Sequence, residues 1–204
     1  MSRIKVPNES PKIAAARERL RRRYRPARVR ILFVGESPPA SGRFFYQADS
    51  GLYRAVQQTF LAAFLGLSAA NFLESFRKLD CYLVDLCGRP VDRLTARQRR
   101  LACSQGETRL GATIRRLNPE VIVTVVRSIA TNVEKARARA NWQGTYLELP
   151  YPGRWKMHRD EFQQVLLPVL RRTLRVAGRD SRVTSGSRKR PAESGNSRKS
   201  KSPL

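Results

Sequence analysis

Long apolar runs, cysteine, histidine and acidic side chains are all scarce in this sequence. No stretch of 18 apolar residues occurs, which excludes a membrane-spanning helix. No apolar core follows the first positive residues, so a secretion signal is not expected. The three cysteines, at positions 81, 87 and 103, cannot all pair, which excludes a disulfide framework. They fit a reducing setting, and the expected location is cytoplasmic, or the nucleoid in a bacterium. Acidic residues number only 16 against 41 Lys and Arg in 204 residues, a formal net charge of +25.

That excess is spread along the chain. Residues 1–30 carry +9, residues 31–175 carry +10 and residues 176–204 carry +6. The part that should fold is therefore itself basic, and a polyanion, most simply nucleic acid, is the expected partner. A basic protein that is merely well solvated is the plainer alternative. The apolar fraction of 41% is enough for one hydrophobic core.

The sequence divides into three regions. Residues 1–28 form a basic extension in which Ile13–Tyr24 can be helical until Pro26 ends it. Its arginines either follow a phosphate backbone or face water. Residues 29–175 form the folded domain. Residues 176–204, rich in Ser, Gly, Lys and Arg, have little to bury, and their composition predicts disorder and loose, salt-sensitive DNA contact.

Within the domain, VRILFV (29–34), CYLVDL (81–86), VIVTVV (121–126) and TYLEL (145–149) read as strands. Leu52, Val56, Phe60 and Phe64 recur every four residues and predict a helix over 50–65. Thr95 caps another helix that runs towards Leu117. Residues 162–174 return to helical periodicity, with Pro168 as a weak point. Strands alternating with helices predict an α/β fold: three αβα layers around a four-stranded parallel sheet. Ligands of such folds sit beyond the carboxyl ends of the strands, here at residues 35–42, 85–90, 126–128 and 150–159.

The first of these loops, GESPPASG, is neither a Walker loop nor GxGxxG. It places Glu36 at the mouth of the sheet behind a tight turn at Gly35 and ahead of Phe44, Phe45 and Tyr46. A carboxylate there can orient water against a bound base, or it can cap and pair while the aromatics fill the core.

Gly35-Glu36-Ser37-Pro38-Pro39, Gly42-Arg43-Phe44-Phe45, Ser50-Gly51-Leu52, Tyr82-Leu83-Val84-Asp85, Gly88-Arg89-Pro90, Asn118-Pro119 and Leu149-Pro150-Tyr151-Pro152-Gly153 occur in that order. Together they resemble the uracil-DNA glycosylase superfamily, particularly its bacterial and archaeal iron–sulfur branches. The resemblance implies a four-stranded parallel sheet and an enzyme that flips a damaged nucleotide from DNA and hydrolyses its N-glycosidic bond. It assigns water positioning to Glu36 and base stacking to Phe45, with Phe44 or Tyr46 as neighbours. Arg43 falls to a phosphate contact or to closing the loop. Arg154, Trp155, Lys156 and His158 fall to the region that enters the duplex, where the alternative buries Trp155 against the last helix.

Three positions depart from the family pattern. Asp85 stands where family members often carry an Asn that reads the base edge; an ionised carboxylate accepts hydrogen bonds but cannot donate them. The alternative has Asp85 cap a turn or pair with Arg89. Tyr151-Pro152-Gly153 stands in place of His-Pro-Ser, so Tyr151 offers one neutral hydroxyl where a histidine can charge. Cys87 and Cys103 keep the spacing of two cluster cysteines, but no cysteine precedes Cys81, which lies within a strand. No metal or other cofactor is expected. The sequence thus supports two readings of a monomeric protein: a DNA glycosylase acting on altered bases, and a non-catalytic nucleic-acid-binding relative.

Overall fold

The structure, a computed structural model, describes residues 10–153 and 155–175. The outermost part of the basic extension and the whole of 176–204 lie outside the described residues. The chain runs α1 (Pro11–Arg23), β1 (Ile31–Gly35), α2 (Gly51–Ala63), α3 (Phe72–Lys78), β2 (Cys81–Asp85), α4 (Ala96–Leu117), β3 (Val121–Thr124), α5 (Ala130–Ala140), β4 (Thr145–Glu148) and α6 (Lys156–Arg175). The four strands form one parallel sheet in the order β2-β1-β3-β4. Among the described residues, no helix is long and apolar enough to cross a membrane.

The strands are where continuous apolar runs place them. Every residue of β1, β2 and β3 is buried, as expected for a parallel sheet covered on both faces, whereas the edge strand β4 is mostly exposed. On one face Phe33 of β1 meets Phe60 of α2 and Phe76 of α3, and α6 packs along α2. On the other, α4 and α5 pack on each other, as right-handed crossovers from β2 to β3 and from β3 to β4 require.

Several local signals read as expected. Thr95 caps α4 in a full capping box with Gln98, and Ser50 caps α2 through the Tyr53 amide. Helix α2 stops at Ala63, short of Leu65, because Phe64 is extended and Gly66 turns with φ +93°. Helix α6 begins at Lys156, six residues before the expected start, and continues through Pro168. Lys156 and His158 therefore belong to a helix rather than to the preceding loop. The short α3 and α5 had no strong periodic signature.

The strand order also fixes where a ligand can enter. From β1 the chain goes to β2 on one side, and from β3 it goes to β4 on the other. The loops leaving these two adjacent strands diverge and open a crevice at their carboxyl ends.

Candidate active site

A cavity of about 370 Å³ fills that crevice. Glu36 and Phe45 from the chain after β1, Asp85 from the end of β2 and Tyr151 from the chain after β4 all line it, as do Phe44 and Arg99. Arg43, Trp155, Lys156 and His158 do not.

The loop after β1 is pinned from several directions. The Cys87 amide donates to the Glu36 carbonyl at 2.7 Å, the Val91 amide to the Ser37 hydroxyl at 3.3 Å, and the Ala40 amide to the Asp92 carboxylate at 3.1 Å. Its far end is held by the Phe44 amide donating to Asp49 at 2.7 Å. The Glu36 side chain, 14% exposed, receives the Nε and Nη2 donors of Arg99, one on each oxygen, in a two-point pair. The Cys103 thiol approaches the same carboxylate at 3.7 Å. A carboxylate has about four lone-pair positions. Arg99 and Cys103 occupy three, which leaves one uncommitted among the described residues. Arg99 itself is set by the first turn of α4, one turn after the Thr95 cap. Nothing in the sequence pairs positions 36 and 99; only the fold does.

Asp85 sits opposite Gly35 in the β1–β2 register, and a Cβ at Gly35 would lie 2.9 Å from its Oδ1. The missing side chain is what gives the carboxylate its seat. Asp85 pairs with Arg21 of α1 at 2.5 Å rather than with Arg89. Burial raises its pKa above the ordinary carboxylate range, with Arg21, Arg17 and Arg109 opposing the shift. Arg21 also grips Glu18 and lies 5.3 Å over the Phe44 ring, so most of this side chain is taken up by contacts within the fold.

Phe44 and Phe45 are both 3% exposed. Phe45 meets Tyr46, Tyr53 and Phe76 with tilted or edge-on rings, so its cavity-facing surface is backed by core aromatics. Tyr46 is spoken for: its hydroxyl accepts from the Leu83 amide at 2.8 Å and donates to the Leu83 carbonyl at 3.1 Å. Tyr151 is 46% exposed, with its ring over Gly153, where a Cβ would come within 2.7 Å. Its hydroxyl reaches the start of α2, near Gly51, and partial burial raises its pKa.

Beside this mouth, Trp155 is 62% exposed, against the alternative that buried it, and Met157 is 71% exposed. Lys156 pairs with Asp160 at 2.6 Å, and His158 is half-buried on the same turn. Arg43 is exposed at the outer end of the β1 loop. Arg154 lies outside the described residues.

Cys87 and Cys103 are both buried, with sulfurs 3.8 Å apart. Their shared hydrogen bond raises the Cys87 pKa and lowers that of Cys103. Cys81 is buried in β2 and turned to the Leu79 carbonyl. Two adjacent thiols and one distant one do not supply the four thiolates of an iron–sulfur cluster. Among the described residues, no three His, Cys, Asp or Glu side chains gather as a metal site.

A parallel α/β domain with a carboxylate and aromatic rings around a cavity at its switch point has its concave surface where ligands of open α/β sheets commonly sit. Residues 22–174 match the family model described as "Uracil DNA glycosylase superfamily". The chain belongs to that superfamily. No curated protein matches it.

Proposed function

We propose that the protein is a DNA glycosylase that hydrolyses the N-glycosidic bond of a damaged or deaminated base. The carrying observation is the convergence of Glu36, Phe45, Asp85 and Tyr151 on one cavity at the switch point. In this reading a flipped base enters against Phe45, with Phe44 beside it, where stacking retains any planar ring. Glu36, held by Arg99, uses its remaining lone pair to orient a water towards C1′. The water oxygen bonds to C1′ as the C1′–N bond breaks. The electron pair leaves with the base, and a proton from the water ends on the departing base or on solvent. Glu36 also stabilises the cationic sugar, and Tyr151 donates to the base anion. Asp85 accepts from a ring or exocyclic N–H, and in its protonated form also donates, so purine lesions suit it better than uracil. Arg43, Arg154, Lys156 and His158 steer the strand, and Trp155 fills the space that the nucleotide leaves.

One observation favours a second, non-catalytic reading. Both Glu36 oxygens are engaged by Arg99, which offsets the negative charge that a cationic sugar needs. The experiment that separates them is single-turnover base release from duplex and single-stranded DNA carrying uracil, hypoxanthine, xanthine or an oxidised base. Release of at least one base, reduced about 100-fold in E36Q with lesion binding nearly unchanged, supports the enzyme. Full activity in E36Q removes the catalytic role of Glu36. Lesion binding without release from any substrate selects the binding protein.

A further inference from the structure

A second cavity, of about 290 Å³, opens away from the crevice, along the outer edge of β2 between α1 and α4. Its chemistry is unlike that of the first. Helix α1 and the residues just after it contribute Arg21, Arg22 and Arg25, while α4 contributes Arg109 and Arg116. The one carboxylate in the lining is Glu18, which is already shared between Arg21 and Arg22.

The positive charge here is only partly answered. Arg21 is 11% exposed; one of its arms goes to Glu18 and another to Asp85, while its Nε has no acceptor and no water contact. Arg109 donates to the Asp85 and Leu86 carbonyls at 2.6 and 2.8 Å, which are neutral groups. Partial withdrawal from water and the neighbouring Arg21 lower its pKa, although much of the side chain stays accessible. Arg25 and Arg116 are exposed and have no ion pair or side-chain hydrogen bond among the described residues. At the base of the cavity Tyr82 lies in the field of Arg21, Arg25 and Arg116, and its hydroxyl has no hydrogen-bond partner among the described residues. Guanidinium forks and a phenol, all donors, converging on a concave surface are the donor set of a phosphoryl anion.

We infer that this cavity is a phosphate-binding site, separate from the base pocket, formed by Arg25, Arg109, Arg116 and Tyr82 over the buried Arg21. A phosphoryl group seated there accepts from two elements at once and ties α1 to α4. The group belongs either to a nucleic-acid backbone or to a free phosphorylated small molecule, and the chemistry of recognition is the same for both. The inference does not rest on glycosylase activity, since neither Glu36 nor Phe45 takes part.

Isothermal titration of the full chain with inorganic pyrophosphate tests it. The double variant R25A/R116A removes two exposed side chains without partners among the described residues and should keep the melting temperature of the parent. R97A/R172A removes two exposed arginines elsewhere and controls for net charge. The parent is expected to bind pyrophosphate, R25A/R116A to bind about ten-fold more weakly or not at all, and R97A/R172A to behave as the parent. If, in addition, R25A/R116A lowers the salt slope of duplex binding by about two relative to the control, the phosphate comes from nucleic acid. An unchanged slope with lost pyrophosphate binding assigns the site to a free phosphorylated molecule. Absence of pyrophosphate binding by the parent, or an equal loss in the control variant, overturns the inference.

Discussion

Asp85 is buried against an arginine, yet burial outweighs the attraction and raises its pKa. The folded protein therefore binds a proton at this carboxyl more readily than the unfolded chain does. Its contribution to stability is fully present below the unfolded value of about 3.9 and is lost as pH rises through the raised folded value. Urea unfolding of the parent and D85N, repeated across acidic pH, should show the difference shifting in favour of the parent as pH falls through that window. A difference that stays constant with pH removes the assignment. The role of Trp155 is tested by binding. If it fills a vacated duplex position, W155A should weaken binding to a lesion-bearing duplex several-fold more than binding to an abasic, already opened strand. Equal losses count against it. At this scale the sequence pointed to Glu36, Phe45, Asp85 and Tyr151, because each follows a strand or its motif directly. It could not point to Arg99 or Arg21, which reach their carboxylates across 63 and 64 residues of chain.

Helix α4 carries the site as an element. Its N-terminal turn presents Arg99 to Glu36, the next turn brings Cys103 against Cys87, and further along Arg109 caps carbonyls at the end of β2. This depends on how closely the helix approaches the sheet. A Cβ at Gly106 would lie 2.3 Å from the Leu86 carbonyl oxygen, a backbone atom that cannot simply rotate away. G106A should cost roughly 1–3 kcal/mol in urea unfolding and should also lower lesion affinity by displacing Arg99. An unchanged midpoint would show that the helix has room to spare. The strands and α4 were legible because apolar runs and a capping box are local signals. Helix α3 is too short to show a period, and α5 buries mainly Val133, Ala136 and Ala140. The early start of α6 was hidden because its first turn is polar and exposed.

For the molecule as a whole, the net charge carries its own prediction about nucleic acid, whatever the pocket does. With a net charge of +25, duplex affinity should fall steeply with salt, as each neutralised phosphate adds about 0.9 to the logarithmic slope. Removing residues 177–204, which carry the same surplus of six cations as 176–204, should flatten that slope and weaken nonspecific binding while the melting temperature stays put. Identical slopes with and without them would mean that these residues do not tether DNA. Composition alone pointed to a polyanion as the expected partner. It could not separate arginines spent inside the fold, such as Arg21, from those left for a partner.

The double hydrogen bond from Tyr46 to Leu83 bears on self-association. An edge strand ordinarily offers free amides and carbonyls on which a second polypeptide can zip up. On β2 part of that edge is taken: Tyr46 occupies both groups of Leu83, and Arg109 covers the carbonyl of Asp85 and that of Leu86 just beyond the strand. Strand-by-strand growth of the sheet into a fibril, or a swapped dimer built across this edge, would first have to dislodge a buried phenol and a guanidinium.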